Sequence, residues 1–115
     1  YRAVGMDLQP HLHPAMRLGD LHRLPFQDSR FALLYAAHAY EHARDMAAAA
    51  REAIRVLKPG GFLYAAFPIG FVPSAHDLVD FASPERFLAW FPGVRRLWSR
   101  ETPAEVAVLA RLETK

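Results

Sequence analysis

Asp7, Asp20 and the run His38-Ala39-Tyr40-Glu41-His42 are the residues whose types and spacing could do chemistry. Asp7 closes Tyr1 to Asp7, a short apolar stretch read as a strand, and stands just before Leu8-Gln9-Pro10. A carboxylate past the C-terminal end of a strand can accept hydrogen bonds from both hydroxyls of a ribose. The same residue can instead open an Asx-turn before Pro10, and spacing alone favours the turn. Met16 to Leu21 reads as a second short strand that ends at Gly19-Asp20. Two acidic strand ends on one side of a sheet would begin a nucleoside pocket. Turn capping is the alternative for either one alone.

His38-x-x-Glu41-His42 has the letters of the inverted zinc-peptidase motif. That motif needs its ligands on a helix, with a distant third ligand. Here the residues leave a strand and precede a helix whose N-cap is Asp45, so the zinc reading is rejected. His11 and His13 are an i, i+2 pair that shares no helical face. No third ligand stands near them, and they read as solvated loop histidines. No metal site is expected.

The elements that must position these residues centre on Phe31 to Pro68. Phe31 to Ala37 is an apolar run, as expected for a strand covered on both faces. Met46, Ala50, Ile54 and Leu57 recur at helical spacing, widened by Ala47 and Ala53. Arg51 and Arg55 suit the helix C-terminus. Lys58-Pro59-Gly60-Gly61 is read as the stop and turn, and Phe62 to Phe67 as a second strand. Strand, helix and strand make a βαβ unit with parallel strands. Phe26 and Phe31 flank the polar turn Gln27 to Arg30 and should pack on the core.

After Pro68 comes a loop, Ile69 to Asp80. Ser83-Pro84 signals a helix start, and that helix carries Phe87, Leu88 and Phe91 up to Pro92-Gly93. Val94 to Arg100 and Glu105 to Leu112 read as strands of an antiparallel hairpin, turning at Glu101 to Ala104. Trp90 and Trp98 read as core or rim packing rather than a ligand box.

Composition bounds the rest. The 115 residues suit one domain, and 52% hydrophobic with 23% charged residues describes a chain that folds. The absence of cysteine excludes disulfides, thiolate metal sites and a cysteine nucleophile, with an intracellular, cytoplasmic location as the default. No apolar run reaches the roughly 20 residues of a membrane span, and no membrane partner is expected. The formal charge is +2 with scattered basic residues, so no nucleic-acid partner is expected.

In order and spacing these stretches resemble the class I S-adenosylmethionine-dependent methyltransferases. Val4-Gly5-Met6-Asp7-Leu8 looks like the second strand with its ribose acid. Gly19-Asp20-Leu21-His22-Arg23-Leu24-Pro25-Phe26 looks like the adenine segment. Phe31 through His42 looks like the fourth strand and its exit, Arg55 to Gly61 like the turn before the fifth, and the hairpin like the sixth and seventh. The resemblance implies a three-layer, Rossmann-like α/β sheet, mostly parallel, over a single domain, residues 1–115. It implies S-adenosylmethionine as cofactor and a small-molecule methyl acceptor. Asp7 would hold the ribose, Leu8 would lie against adenine, and Gly19, Asp20 and Leu21 would form the adenine segment. Asp20 would take the adenine amino group, and the Leu21 N–H would donate to the ring. Ala37 and His38 would line the pocket near the sulfonium. His38 and His42 are the candidate bases there, and each also fits a packing role.

The departures carry consequences. The family's first strand and glycine-rich loop are missing, as if the domain lacked its N-terminal part. That strand normally lies between the second and fourth, so either the sheet closes up, the N-terminal segment docks weakly, or a partner strand or upstream segment completes the sheet. The connection Gln9 to Ala15 is too short for the usual crossover helix. The chain alone is expected to bind the cofactor poorly and to be inactive. A non-catalytic methyltransferase-like interaction module is the alternative. A dinucleotide-binding domain fits Asp20-Leu21 and Lys58-Pro59-Gly60-Gly61 less well.

Overall fold

A computed structural model of the chain describes residues 20–70 and 80–115, together with the backbone of 5–7 and 16–18. The first two strands, β1 (Gly5–Asp7) and β2 (Met16–Leu18), pair in parallel, Gly5 opposite Met16 and Asp7 opposite Leu18. Next come β3 (Phe31–Ala37), α1 (Met46–Val56) and β4 (Leu57–Pro68). A short helix, α2 (Pro84–Leu88), precedes the hairpin of β5 (Val94–Glu101) and β6 (Glu105–Leu112). The larger sheet has the order β3-β4-β6-β5. Its β3–β4 pair is parallel, and β4–β6 and β5–β6 are antiparallel. Among the described residues no strand pair joins the small sheet to the large one.

The βαβ unit forms as its pattern dictates. Asp45 caps α1, its Oδ1 accepting the Ala48 N–H at 3.1 Å. The helix then buries Met46, Ala49, Ala50, Ala53 and Val56, so its inner stripe is rotated from the one expected and leaves Ala47 exposed. Small alanines there let the helix lie close on β4. Ser83 caps α2 through Oγ to the Arg86 N–H at 3.2 Å, with Pro84 in the first turn. That helix ends at Leu88 rather than running to Pro92, and turns carry the chain to β5.

Lys58 to Gly61 is not the turn expected. The strand begins at Leu57, opposite Phe31, and the register then jumps so that Leu33 faces Phe62. Residues 58–61 stand opposite the single residue Ala32, a large bulge at the strand's start. Gly60 sits at φ +80°, and a Cβ on Gly61 would lie 2.8 Å from the Lys58 carbonyl oxygen and 3.2 Å from that of Ala32. Glycine at both positions is what lets the bulge close.

The core lies on the face that α1 and α2 cover. Phe67, Phe81, Phe87 and Phe91 are buried and stack edge-on or tilted, with centroids 4.7–5.1 Å apart, and Tyr40 joins them. The opposite face is open. Leu33 and Tyr35 of β3 are 44% and 67% exposed, so β3 is covered on one face and not on both as expected. Trp90 and Trp98 also lie at the surface, outside the core. Phe26 and Phe31 meet each other edge to face at 4.9 Å, outside the core cluster on which they were expected to pack. Among the described residues no helix is long and apolar enough to cross a membrane.

Candidate functional site

Two polar clusters lie at opposite ends of the connection between β3 and α1. The first is at the exit of β3. Ala37 is exposed at the strand's last position, and the His38 N–H adds one bond to the ladder by donating to the Ala66 carbonyl at 2.7 Å. His38 then turns the chain with φ +53°, a left-handed conformation unusual outside glycine. Such positions occur often at functional sites, where neighbouring contacts hold them. Those contacts hold the imidazole between two carboxylates: its Nε2 is 2.9 Å from Glu105 Oε2, and its Nδ1 is 3.8 Å from Glu41 Oε2. Glu41 lies in the short 3-10 turn Tyr40–His42, its side chain only 3% exposed, and the His42 ring approaches it to 3.7 Å. Tyr40, on the same turn, points into the aromatic core, and its burial pushes the phenol pKa up.

The letters His38-x-x-Glu41-His42 therefore do converge, but on a 3-10 turn rather than an α-helix. Among the described residues no group of histidine and acidic side chains is placed to hold a metal ion.

The second cluster surrounds Asp20, in the tight turn closed by the Arg23 N–H to the Asp20 carbonyl at 3.0 Å. One carboxylate oxygen accepts the His22 backbone N–H at 2.9 Å and faces His22 Nδ1 at 2.5 Å. The other accepts Arg44 Nη2 at 3.1 Å. His22 Nε2 accepts the backbone N–H of Asp45 at 3.1 Å, which places the imidazole proton on Nδ1, toward Asp20. The His22 N–H groups, with help from Arg44, pull the Asp20 pKa down from 3.8 to about 2. Asp20 is thus an anion, and only an acceptor, throughout the neutral range.

A strap holds this segment on α1. Arg55 donates to Glu52 through Nε (2.6 Å) and Nη2 (3.0 Å), to Asp28 and the Phe26 carbonyl through Nη1 (both 2.8 Å), and to the Leu24 carbonyl through Nη2 (3.0 Å). These contacts match the five N–H groups of a guanidinium. Glu52 in turn accepts the Leu24 N–H at 2.8 Å. Its own pKa is lowered chiefly by the Arg55 hydrogen bonds.

Of the residues expected to form the site, Asp20, Leu21, Ala37 and His38 fall in these two clusters or beside them. Leu21 is half-buried against the core. Asp7 ends β1, where only the backbone is described, and Leu8 and Gly19 lie outside the described residues. The reading of the sequence missed Glu105, which comes from the far hairpin, and the partners His22 and Arg44. It saw Arg55 as a dipole partner only. The i, i+3 spacing from Glu52 was the signal available for the rest.

The architecture is Rossmann-like α/β with a C-terminal antiparallel hairpin, and residues 1–65 match the family described as methyltransferase domain. The chain belongs to that family, the class I S-adenosylmethionine-dependent methyltransferases. Solved structures agree on the fold. A complex of the Haloferax volcanii Trm112 methyltransferase activator with a candidate methyltransferase is matched at TM-score 0.76 and 16% identity, over 98% of this chain and 73% of the other. The cyclase SpnF is matched at 0.70 and 16%, over 84% and 54%. A candidate sarcosine dimethylglycine methyltransferase from Galdieria sulphuraria is matched at 0.66 and 16%, over 84% and 58%. The chain thus spans little more than half the length of the first structures it matches. No curated protein matches it.

Proposed function

We propose that this chain is the cofactor-facing half of a domain that transfers a methyl group from S-adenosylmethionine to a small molecule. The observation that carries it is the Asp20 cluster. Asp20 is held anionic, its side chain is 36% exposed, and it sits on a segment strapped to α1. A carboxylate offers about four lone-pair sites. His22 and Arg44 fill three, so one acceptor site fits an exocyclic amino group such as that of adenine. Asp7, with Leu8 beside it, would take the ribose, Gly19 and the Leu21 N–H would frame the adenine, and Ala37 and His38 would border the sulfonium end. The bound cofactor would supply a methyl group open to direct displacement. The chain's own part is positioning, with His38 able to take a proton from an acceptor and Glu105 and Glu41 able to steady the imidazolium that results. A small-molecule acceptor accords with the candidate sarcosine dimethylglycine methyltransferase among the matched folds. The cyclase in the same company is a reminder that fold alone does not choose the reaction.

The sheet asks for one more strand. β3 is an edge of the large sheet, and its residues Phe31 to Ala37 carry no charge and no proline. Edges that stay in water are usually protected by such residues. A partner strand or an upstream segment would pair here, and the 115 residues alone would bind the cofactor poorly and be inactive. The same bare edge supports the second reading, a non-catalytic module that binds its partner by strand addition. Calorimetric titration of the chain with S-adenosylhomocysteine tests the first reading. Weak or no heat is the expected result, and micromolar binding would show the chain to be complete for cofactor. The genomic sequence ahead of Tyr1 separates the two readings. A Gly-x-Gly loop about 20 residues before Asp7 is expected for the enzyme, and its absence would favour the module.

A further inference from the structure

We propose that the groove between α1 and residues 22–24 binds a phosphate monoester, held by Arg23 and Arg51. This goes beyond the cofactor site and the β3 exit, although the groove borders the Asp20 corner. Ala48, Arg51, Glu52 and Arg55 line it from α1, and their spacing puts all four on one stripe of the helix. His22, Arg23 and Leu24 line it from the facing segment. The cavity has a volume of about 400 Å³, within the range of small-molecule sites. Ala48 is the smallest residue of the stripe, and it leaves the depression between longer side chains.

Charge selects the ligand. Three arginines in the wall stand against one carboxylate, Glu52. Arg55 already donates to Glu52, Asp28 and two loop carbonyls, so it lends charge but no free N–H. Glu52 is taken by Arg55 and the Leu24 N–H. Both ring nitrogens of His22 are engaged, one by Asp20 and the other by the Asp45 N–H. Asp20 and Arg44, close by, pair with each other. That leaves Arg23 and Arg51. Both are exposed, and among the described residues neither makes an ion pair or a side-chain hydrogen bond. Arg51 and Arg55 also stand i, i+4 on the helix, where like charges repel. Two unpaired guanidiniums on two elements suit one dianion. A phosphate monoester carries about −1.5 to −2 charges at neutral pH on three terminal oxygens, enough to meet a fork from each side. A single carboxylate has about half that charge and both oxygens in one plane. Leu24 and Ala48 supply apolar surface for the carbon part of the ester. Bound there, the ester would bridge residues 22–24 to α1 and act beside Arg55 as a second strap.

The test titrates the full chain with glycerol 3-phosphate and follows its backbone amide resonances, with sodium chloride at the same ionic strength as the reference. The expected dissociation constant is about 1 mM or below, with the shifts confined to residues 22–24 and 48–55. Arg23→Gln and Arg51→Gln should each weaken binding at least about tenfold, with circular dichroism unchanged. In chloride alone Arg51→Gln should melt no lower than wild type, because it removes a like-charge pair. Arg100→Gln on the hairpin removes the same net charge and should leave the affinity as it was. No binding, shifts spread over the whole surface, or an equal loss in Arg100→Gln would overturn the proposal. So would oligothymidine that displaces the ester at equal phosphate concentration, since the groove would then belong to a nucleic-acid track.

Discussion

The two faces of one sheet are built from different materials. On the covered face, β4 and β6 present Leu63, Ala65, Phe67, Val106 and Val108, all fully buried under α1, α2 and the aromatic cluster. On the other, the same strands alternate to Phe62, Tyr64, Leu109 and Arg111, half-buried or exposed. The contrast is not that of core against solvent. The open face carries large apolar residues, but it is ringed by arginine and carries hydroxyls. Aromatic side chains with a polar tip suit a surface that is wet part of the time. Near the covered face, Arg55 and Asp20 fasten the loop segment to α1 and its N-terminus.

The most direct way to break this comparison is to remove an equal kind of packing from each side. Phe87 is fully buried and touches Phe67, Phe81, Phe91 and Tyr40. Phe87→Ala should cost about 3–5 kcal/mol in urea unfolding, the loss for a large core aromatic. Leu33→Ala on the open face should stay within about 0.5 kcal/mol. A loss of several kcal/mol at Leu33 would mean that the open face is covered in solution, for instance by self-association, and the unfolding midpoint would then depend on protein concentration.

The next effect sharpens the comparison at the rim. Arg55 ties two loop carbonyls and two carboxylates to α1 with five contacts, and its side chain is 31% exposed. Arg55→Ala should cost about 1.5–3 kcal/mol, the scale of hydrogen bonds to a charged group. Arg55→Lys should recover only part, since an ammonium cannot span the same fork. Because the strap holds residues 24–28, amide hydrogen exchange should rise first there, while α2 and the hairpin keep their protection. Exchange that rises evenly across the chain would make the strap one more part of the core.

The covered parts were the legible ones. α1 and β6 were readable because their patterns are those of buried elements, β3 and β5 because apolar or alternating runs stand between turn signals, and Asp45 and Ser83 announced their caps. Lys58 to Gly61 was misread, because a Pro-Gly-Gly run signals a turn whether or not the strand has already begun. The open face was invisible for a related reason: an uninterrupted apolar strand such as Phe31 to Ala37 has the same letters with one cover or two. At the site, the pairing of Glu105 with His38 depends on hairpin register. The loop carbonyls taken by Arg55 are backbone groups, which carry no residue-type signal.

The smallest effect concerns the Asp20 corner, and pH reads it. The folded pKa of Asp20 is held at about 2, against an ordinary value of 3.8, by hydrogen bonds from the His22 backbone and ring and from Arg44. A depressed carboxylate stabilises the fold above its unfolded pKa, and that contribution fades as the pH falls through the folded one. The loss from this corner should therefore be spread between about pH 4 and pH 2. Asp20→Asn keeps the shape and removes the charge, so its stability should fall less steeply than wild type over that window in urea titrations. It should not become flat, because Glu52, also depressed by Arg55, still titrates in acid. Open-face variants such as Tyr35→Glu carry no such cluster and should leave the Asp20 limb in place. An unchanged slope in Asp20→Asn would mean that His22 and Arg44 do not hold the carboxylate in solution. The acceptor site proposed for the adenine amino group would then lose the anchoring that makes it one.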